Sequence, residues 1–161
     1  ILPAPAPSAT TMPAQLQEAR AAASSLGLGL EGVEVAGGDY AGAFAAMAAH
    51  RAHALGVGAS ANFVRDRKAI IEQAAKHRVP AIYEWPRQVK DGGLMSYGAN
   101  DIETYKQVAS YIDRIFKGAK PSDLAVWQPS RLYLVINLKT ATALGLTIPQ
   151  SLLLRADEVV D

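Results

Sequence analysis

The sequence predicts an α/β protein built on a parallel sheet flanked by helices. Short apolar runs at 33–36, 54–58 and 79–83 alternate with segments long enough for helices. Those longer segments repeat their apolar residues at helical spacing, and Gly, Pro, Asn or Asp stands at most junctions. Strand–helix alternation of this kind is the mark of parallel strands joined by crossover helices.

The first 13 residues carry four prolines with Ser8, Thr10 and Thr11, and read as an extended or loop segment in which Ile1 and Leu2 could finish a strand. Residues 14–26 are strong helix formers with Leu16, Ala19, Ala23 and Leu26 on one face, and Gly27 is placed to end the helix. A strand over 33–36 follows. Asp39 then caps a helix over 40–51 with Phe44 and Met47 inward. After the small-residue strand at 54–58, Asn62 is expected to cap a third helix reaching about Arg78, with Phe63, Ile70, Ile71 and Ala74 as its apolar stripe. The strand at 79–83, a turn at Asp91-Gly92-Gly93 and a strand at 94–97 lead to the clearest helix, 101–117. There Ile102, Tyr105, Val108, Ala109, Ile112, Ile115 and Phe116 keep a 3.6-residue period. Gly118 stops it and Pro121 prevents a restart; a strand at 132–136 and a short helix at 138–144 ending on Gly145 complete the pattern.

Composition narrows the function classes. The 161 residues suit one ordinary domain or two small lobes, and with 50% hydrophobic and 19% charged residues a packed core is available. Sixteen basic residues against 15 acidic give a net charge of +1, without the excess that a nucleic-acid surface needs. Cysteine is absent, which removes disulfides and thiolate metal sites while fitting either redox compartment. No apolar run is long enough to span a bilayer.

Chemistry concentrates at the ends of the predicted strands. Residues 56–61, Gly56-Val57-Gly58-Ala59-Ser60-Ala61, fit the dinucleotide pattern G-x-G-x-x-G/A, with Glu84 near the place of a ribose-binding acid. This is the best case for a Rossmann-type NAD(P)-dependent enzyme, although the charged, bulky start of the next helix, Phe63 to Lys68, packs poorly on a pyrophosphate. The same edge also suits a zwitterion. Ser60 and Asn62 stand at a helix N-terminus that favours a carboxylate, and Tyr83, Glu84 and Trp85 offer a carboxylate for an ammonium and rings for an apolar body. The bland alternative is that Ser60 and Asn62 only cap their helix and that the rings only pack. Arg65, Arg67, Lys68, Lys76, His77 and Arg78 read as a solvated helix face, and His50 with His53 as cations at a helix end rather than as zinc ligands. Ser96 lacks the glycine two residues before it that a hydrolase elbow requires, so no catalytic residue is assigned. Tyr97-Gly98 reads instead as a backbone crossing able to absorb a hinge rotation.

Four strings then stand in one order: Gly92-Gly93-Leu94-Met95-Ser96-Tyr97-Gly98; Gly118-Ala119-Lys120-Pro121-Ser122-Asp123-Leu124; Asn137-Leu138-Lys139-Thr140; and the tail from Leu144-Gly145-Leu146-Thr147-Ile148-Pro149 through Leu154-Arg155-Ala156-Asp157-Glu158-Val159. Together they resemble the C-terminal half of an ABC-transporter solute-binding protein family whose members include aromatic amino-acid binders. The resemblance implies a type I periplasmic-binding-protein-like, Rossmann-like fold. It also implies that residues 1–90 form the second lobe, 91–98 a hinge crossing, and 99–161 the C-terminal part of a first lobe whose earlier part is absent. A small-molecule ligand, bound by hinge closure at Ser60, Asn62, Tyr83, Glu84, Trp85 and Tyr97, would follow, with a membrane permease as partner and a periplasmic location. No cofactor, metal or nucleic acid is expected, and self-association or a missing first lobe would cover the exposed apolar faces. A ligand-sensing module of the same fold is a second alternative to the importer reading. The segment 3–13 and the loop 58–62 depart from the family's usual loops, so ligand identity does not carry over.

Overall fold

The computed structural model describes residues 12–129 and 131–161; the expected loop and strand end at the N-terminus lie outside the described residues. The elements follow in chain order as α1 (Met12–Ser25), α2 (Tyr40–Ala49), β1 (Leu55–Gly56), α3 (Ala61–Arg65), α4 (Arg67–Lys76), β2 (Ala81–Tyr83) and α5 (Pro86–Lys90). They continue with β3 (Met95–Ala99), α6 (Asp101–Phe116), a 3₁₀ turn at Pro121–Asp123, β4 (Leu132–Asn137), α7 (Leu138–Leu144), α8 (Gln150–Leu153) and β5 (Glu158–Val160). The five strands form one sheet in the order β1-β2-β3-β4-β5. All neighbours run parallel except β3 and β4, which pair antiparallel from Met95↔Ile136 to Ala99↔Leu132. The fold is α/β with a mostly parallel sheet.

Local chemistry explains most boundaries. The Asp39 carboxylate accepts the Gly42 N–H at 2.8 Å and so opens α2. Asn137 accepts the Thr140 N–H at 2.9 Å to open α7, and Gly145 closes it at φ 74°. Asn100 does the same for α6 through the Ile102 N–H.

Three expectations are corrected. Ser60, not Asn62, caps the helix after β1: its hydroxyl accepts the Asn62 N–H at 3.2 Å. That helix is not continuous to Arg78 but breaks at Asp66, whose carboxylate takes the Tyr40 phenol at 2.8 Å and the Arg65 guanidinium at 2.7 Å. A tertiary contact from α2 thus fixes the break. Residues 33–36 form no strand among the described residues; Val35 is nonetheless buried and seals the core as a loop residue.

The main core cluster lies on one face of the sheet, while Leu134 and Ile136 are buried on the other. Leu55, Val57, Ala81 and Tyr83 from β1, β2 and the loop after β1 meet Tyr40, Phe44 and Met47 of α2, Phe63 of α3 and Ile70 and Ala74 of α4. Each fully buried large side chain contributes roughly 1.5–3 kcal/mol. On the other face Ile82, Tyr97, Leu132 and Val159 remain 39–49% exposed. The apolar stripe of α6 is also open: Ile102, Tyr105, Val108, Ile112, Ile115 and Phe116 are all exposed. The 3.6-residue pattern is correct, but its usual consequence, burial, does not follow within this chain.

Candidate functional site

The carboxyl ends of β1 and β2 open on the same edge of the sheet, where ligands of parallel α/β sheets bind. Between the loop after β1 and the start of α5 lies a cleft of about 500 Å³ lined by Ala59, Ser60, Ala61, Val64, Glu84, Trp85, Arg87 and Tyr105. Its volume suits a small organic ligand.

Glu84 is the chemically unusual member. It leaves β2 and is half-buried. Its Oε2 is enclosed without a hydrogen-bond partner. Burial pushes the carboxyl above its ordinary value, and a hydrogen bond from the Trp85 side chain opposes that shift. The position is held from behind: a β-carbon on Gly98 would overlap the Glu84 carbonyl oxygen and meet its Cγ at 3.1 Å, so β3 can approach only with glycine there. Trp85 in turn is fixed by its own N–H, which donates to Gln88 Oε1 at 3.1 Å, with Pro86 in the first turn of α5. A partly desolvated carboxylate with an unused lone pair, beside an indole and a hydroxyl, can accept an ammonium once Oε2 is uncovered, while the indole packs on an apolar body.

The expected residues divide among different places. Ser60, Glu84 and Trp85 come together in this cleft. Asn62 lines a second, basic cleft of about 770 Å³ with Gly37, Tyr40, Arg65, Arg67 and Lys68. Tyr83 turns into the core, 2% exposed, where a β-carbon on Gly93 would overlap its ring. Its phenol is buried without a partner, and burial raises its pKa. Successive strand residues alternate faces, so Tyr83 and its neighbours cannot all look one way. Tyr97 is half exposed on the open sheet face, paired with Leu134 of β4. Sequence reasoning missed Arg87 and Tyr105. The signal for Tyr105 was masked because its spacing fits the apolar stripe of α6.

The dinucleotide-like string runs from β1 into α3, a helix of only five residues that ends at the Asp66 break. His50 ends α2 with Nδ1 2.9 Å from Glu31, and no cluster of three or more metal-binding side chains occurs among the described residues. No helix among the described residues is long and apolar enough to cross a membrane.

Comparison with known proteins gives this geometry a context. A structure of an ABC domain in complex with L-Trp from Streptococcus pneumonia is 26% identical, with a TM-score of 0.86, over 99% of this chain and 55% of that one. A conserved domain protein from Vibrio cholerae is 23% identical with a TM-score of 0.85, over 98% of this chain and 53% of that one. The ligand-free, open structure of a substrate binding protein with adhesive properties from Clostridium difficile matches at 16% identity and a TM-score of 0.66, over 99% and 52%. The chain therefore spans about half the length of the solved structures it resembles. No curated protein is similar enough in sequence to count as a match. The family model described as ABC transporter substrate binding protein matches residues 6–160. The chain belongs to the ABC transporter substrate-binding protein family.

Proposed function

We propose that this chain supplies a ligand-binding lobe of the solute-binding component of an ABC importer, and that its ligand is an amino acid. The observation that carries the proposal is the convergence of Ser60, Glu84 and Trp85 on one cleft at the strand ends. The family membership and the L-Trp carried by one relative support it. Glu84 takes the ammonium, Trp85 packs on the side chain, and Ser60 contributes a hydroxyl. The mechanism is binding and hinge closure without covalent chemistry: a ligand that touches both lobes has higher affinity for the closed form and shifts the population toward it. The closed form then docks on a membrane permease outside the cytoplasm.

The hinge lies at 91–98. The proposed division keeps residues 1–90 as the ligand-binding lobe and 99–161 as the C-terminal part of the other lobe; β4 and β5 of that part pair into the same sheet as β1 to β3. The exposed stripe of α6 supports that assignment, since it needs a partner surface of its own.

A thermal-shift screen with amino acids, nucleotides and dinucleotides tests the reading, because a true ligand raises apparent stability by mass action. A shift with one or more amino acids is expected. A shift with NADH and none with amino acids would favour the enzyme reading of residues 56–61 and overturn the proposal.

A further inference from the structure

The basic residues that follow β1 do not share one place. Lys76, His77 and Arg78 stand at or just beyond the end of α4, about 14 Å from its start. Arg65, Arg67 and Lys68 instead gather on the second cleft, of about 770 Å³, together with Asn62 and the Gly37-Gly38 turn. The short helix α3 is the wall between the two clefts: Ala61 and Val64 line the first, Asn62 and Arg65 the second.

Three cations in this lining meet a single acid, Asp66. Its carboxylate is already engaged by the Tyr40 phenol and the Arg65 guanidinium. Arg65 gives Nε and Nη2 to Asp66, which leaves Nη1. Arg67 gives Nε to Asp91, from outside the lining, and Nη1 to the Val64 carbonyl at 3.1 Å; this holds the guanidinium in place and leaves Nη2. Lys68 has no acidic partner among the described residues. With Asp91 counted, the positive charge of Lys68 is therefore left over. Asp66 also caps no N–H of α4, so the positive end of that helix adds to the side-chain charge.

We infer that this cleft binds a phosphate group carried by a larger molecule, with Lys68 as its counter-ion and the guanidiniums of Arg65 and Arg67 as donors. Two guanidiniums and an ammonium around one cleft suit an anion with several exposed oxygens, and a guanidinium already held in place loses little freedom on binding one. The cleft is larger than a free ion fills, which leaves room for the rest of the molecule. The inference is independent of the amino-acid reading, because none of these three cations lines the cleft of Glu84 and Trp85.

The test titrates inorganic phosphate, and separately glycerol phosphate, into the chain at constant ionic strength, followed by two-dimensional NMR. Wild type, Lys68→Gln and Lys76→Gln are compared; both lysines are exposed, so the unliganded variants should melt with wild type. Saturable shifts at Asn62, Lys68 and Ala69 are expected, with half-saturation in the millimolar range. Lys68→Gln should weaken binding about fivefold. Lys76→Gln removes the same charge at more than about one Debye length and should stay within about twofold of wild type. Flotation with phosphatidylglycerol vesicles, against phosphatidylcholine vesicles, separates the two sources of the phosphate. Retention on phosphatidylglycerol that Lys68→Gln abolishes supports the site as one for a lipid headgroup. Saturable glycerol phosphate binding without retention supports it as one for a soluble phosphorylated molecule. Wild type that shows neither, Lys68→Gln that binds at wild-type affinity, or equal weakening by the two lysine variants would overturn the inference and leave the proposed function standing.

Discussion

Gly98 and Glu84 are packed so closely that β3 rests on the main chain of Glu84. A β-carbon at position 98 would overlap the Glu84 carbonyl oxygen and touch its Cγ at 3.1 Å. Backbone cannot swing aside as a flexible side-chain end can. β3 and Glu84 are therefore mechanically coupled.

Gly98→Ala is expected to cost about 1–3 kcal/mol of unfolding free energy, the usual range for overpacking a closed site. The same change should displace Glu84 and weaken amino-acid binding at temperatures where the variant is still folded. Denaturant unfolding and calorimetric titration measure the two effects. A variant with wild-type stability would show that the contact relaxes freely.

Glu84→Gln should improve stability and impair binding together. Burial holds the folded carboxyl above its ordinary value, so the folded chain binds this proton more tightly than the unfolded chain. Stability from this group falls as pH rises from the unfolded carboxyl range through the folded one, then levels off. At pH 7 the variant should gain less than about 1 kcal/mol, because a half-exposed carboxylate is partly screened. The gain should vanish below about pH 4, where both states are protonated. Binding of an ammonium ligand should weaken roughly 10–100-fold. Melting curves from pH 3 to 8 decide the sign; a variant less stable than wild type at pH 7 contradicts it.

Tyr40→Phe removes the 2.8 Å hydrogen bond that ties α2 to the break between α3 and α4. The loss should be about 1 kcal/mol. The acid response should change as well. Arg65 and then Tyr40 hold the Asp66 carboxyl down to about 2, so its stabilisation is complete above the ordinary Asp range and is lost as pH falls from about 4 to about 2. Without the phenol the native carboxyl is less depressed, and the acid-dependent loss should be smaller. Acid titration of the folded fraction by circular dichroism checks this; an unchanged acid limb would contradict it.

Ile112→Glu, on the exposed face of α6, should change unfolding free energy by no more than about 0.5 kcal/mol. It should also reduce any concentration-dependent association, since the stripe offers apolar surface that this chain does not cover. Sedimentation velocity across a concentration series reads the second effect. A monodisperse 17.0 kDa wild-type monomer at every concentration would contradict the expectation of an uncovered interface.

These residues also mark where the sequence was legible. Asp39, Gly27 and Gly145 could be placed because a cap or a left-handed turn depends on a few neighbouring atoms. The α6 period was readable for the same local reason. The break at Asp66 was not, because its cause is Tyr40, 26 residues away. Val33 and Val35 alternate as a strand would, yet strand formation needs a pairing neighbour, and burial of Val35 alone produces the same spacing. The helix Pro86–Lys90 and the strand Glu158–Val160 are too short to impose a period. At the site, Ser60, Glu84 and Trp85 were accessible from strand ends, whereas the inward turn of Tyr83 follows from alternation and the arrival of Tyr105 follows from the path of β3 into α6.

A two-dimensional NMR titration of the chain with L-tryptophan tests the central claim most directly, since it reads binding residue by residue even at millimolar affinity. The predicted result is a set of saturable shifts at Ser60, Ala61, Glu84 and the main chain and indole N–H of Trp85, with Trp127 unmoved. Shifts confined to the Gly37–Asn62–Lys68 cleft, or no shifts with L-tryptophan or any other amino acid, would contradict it.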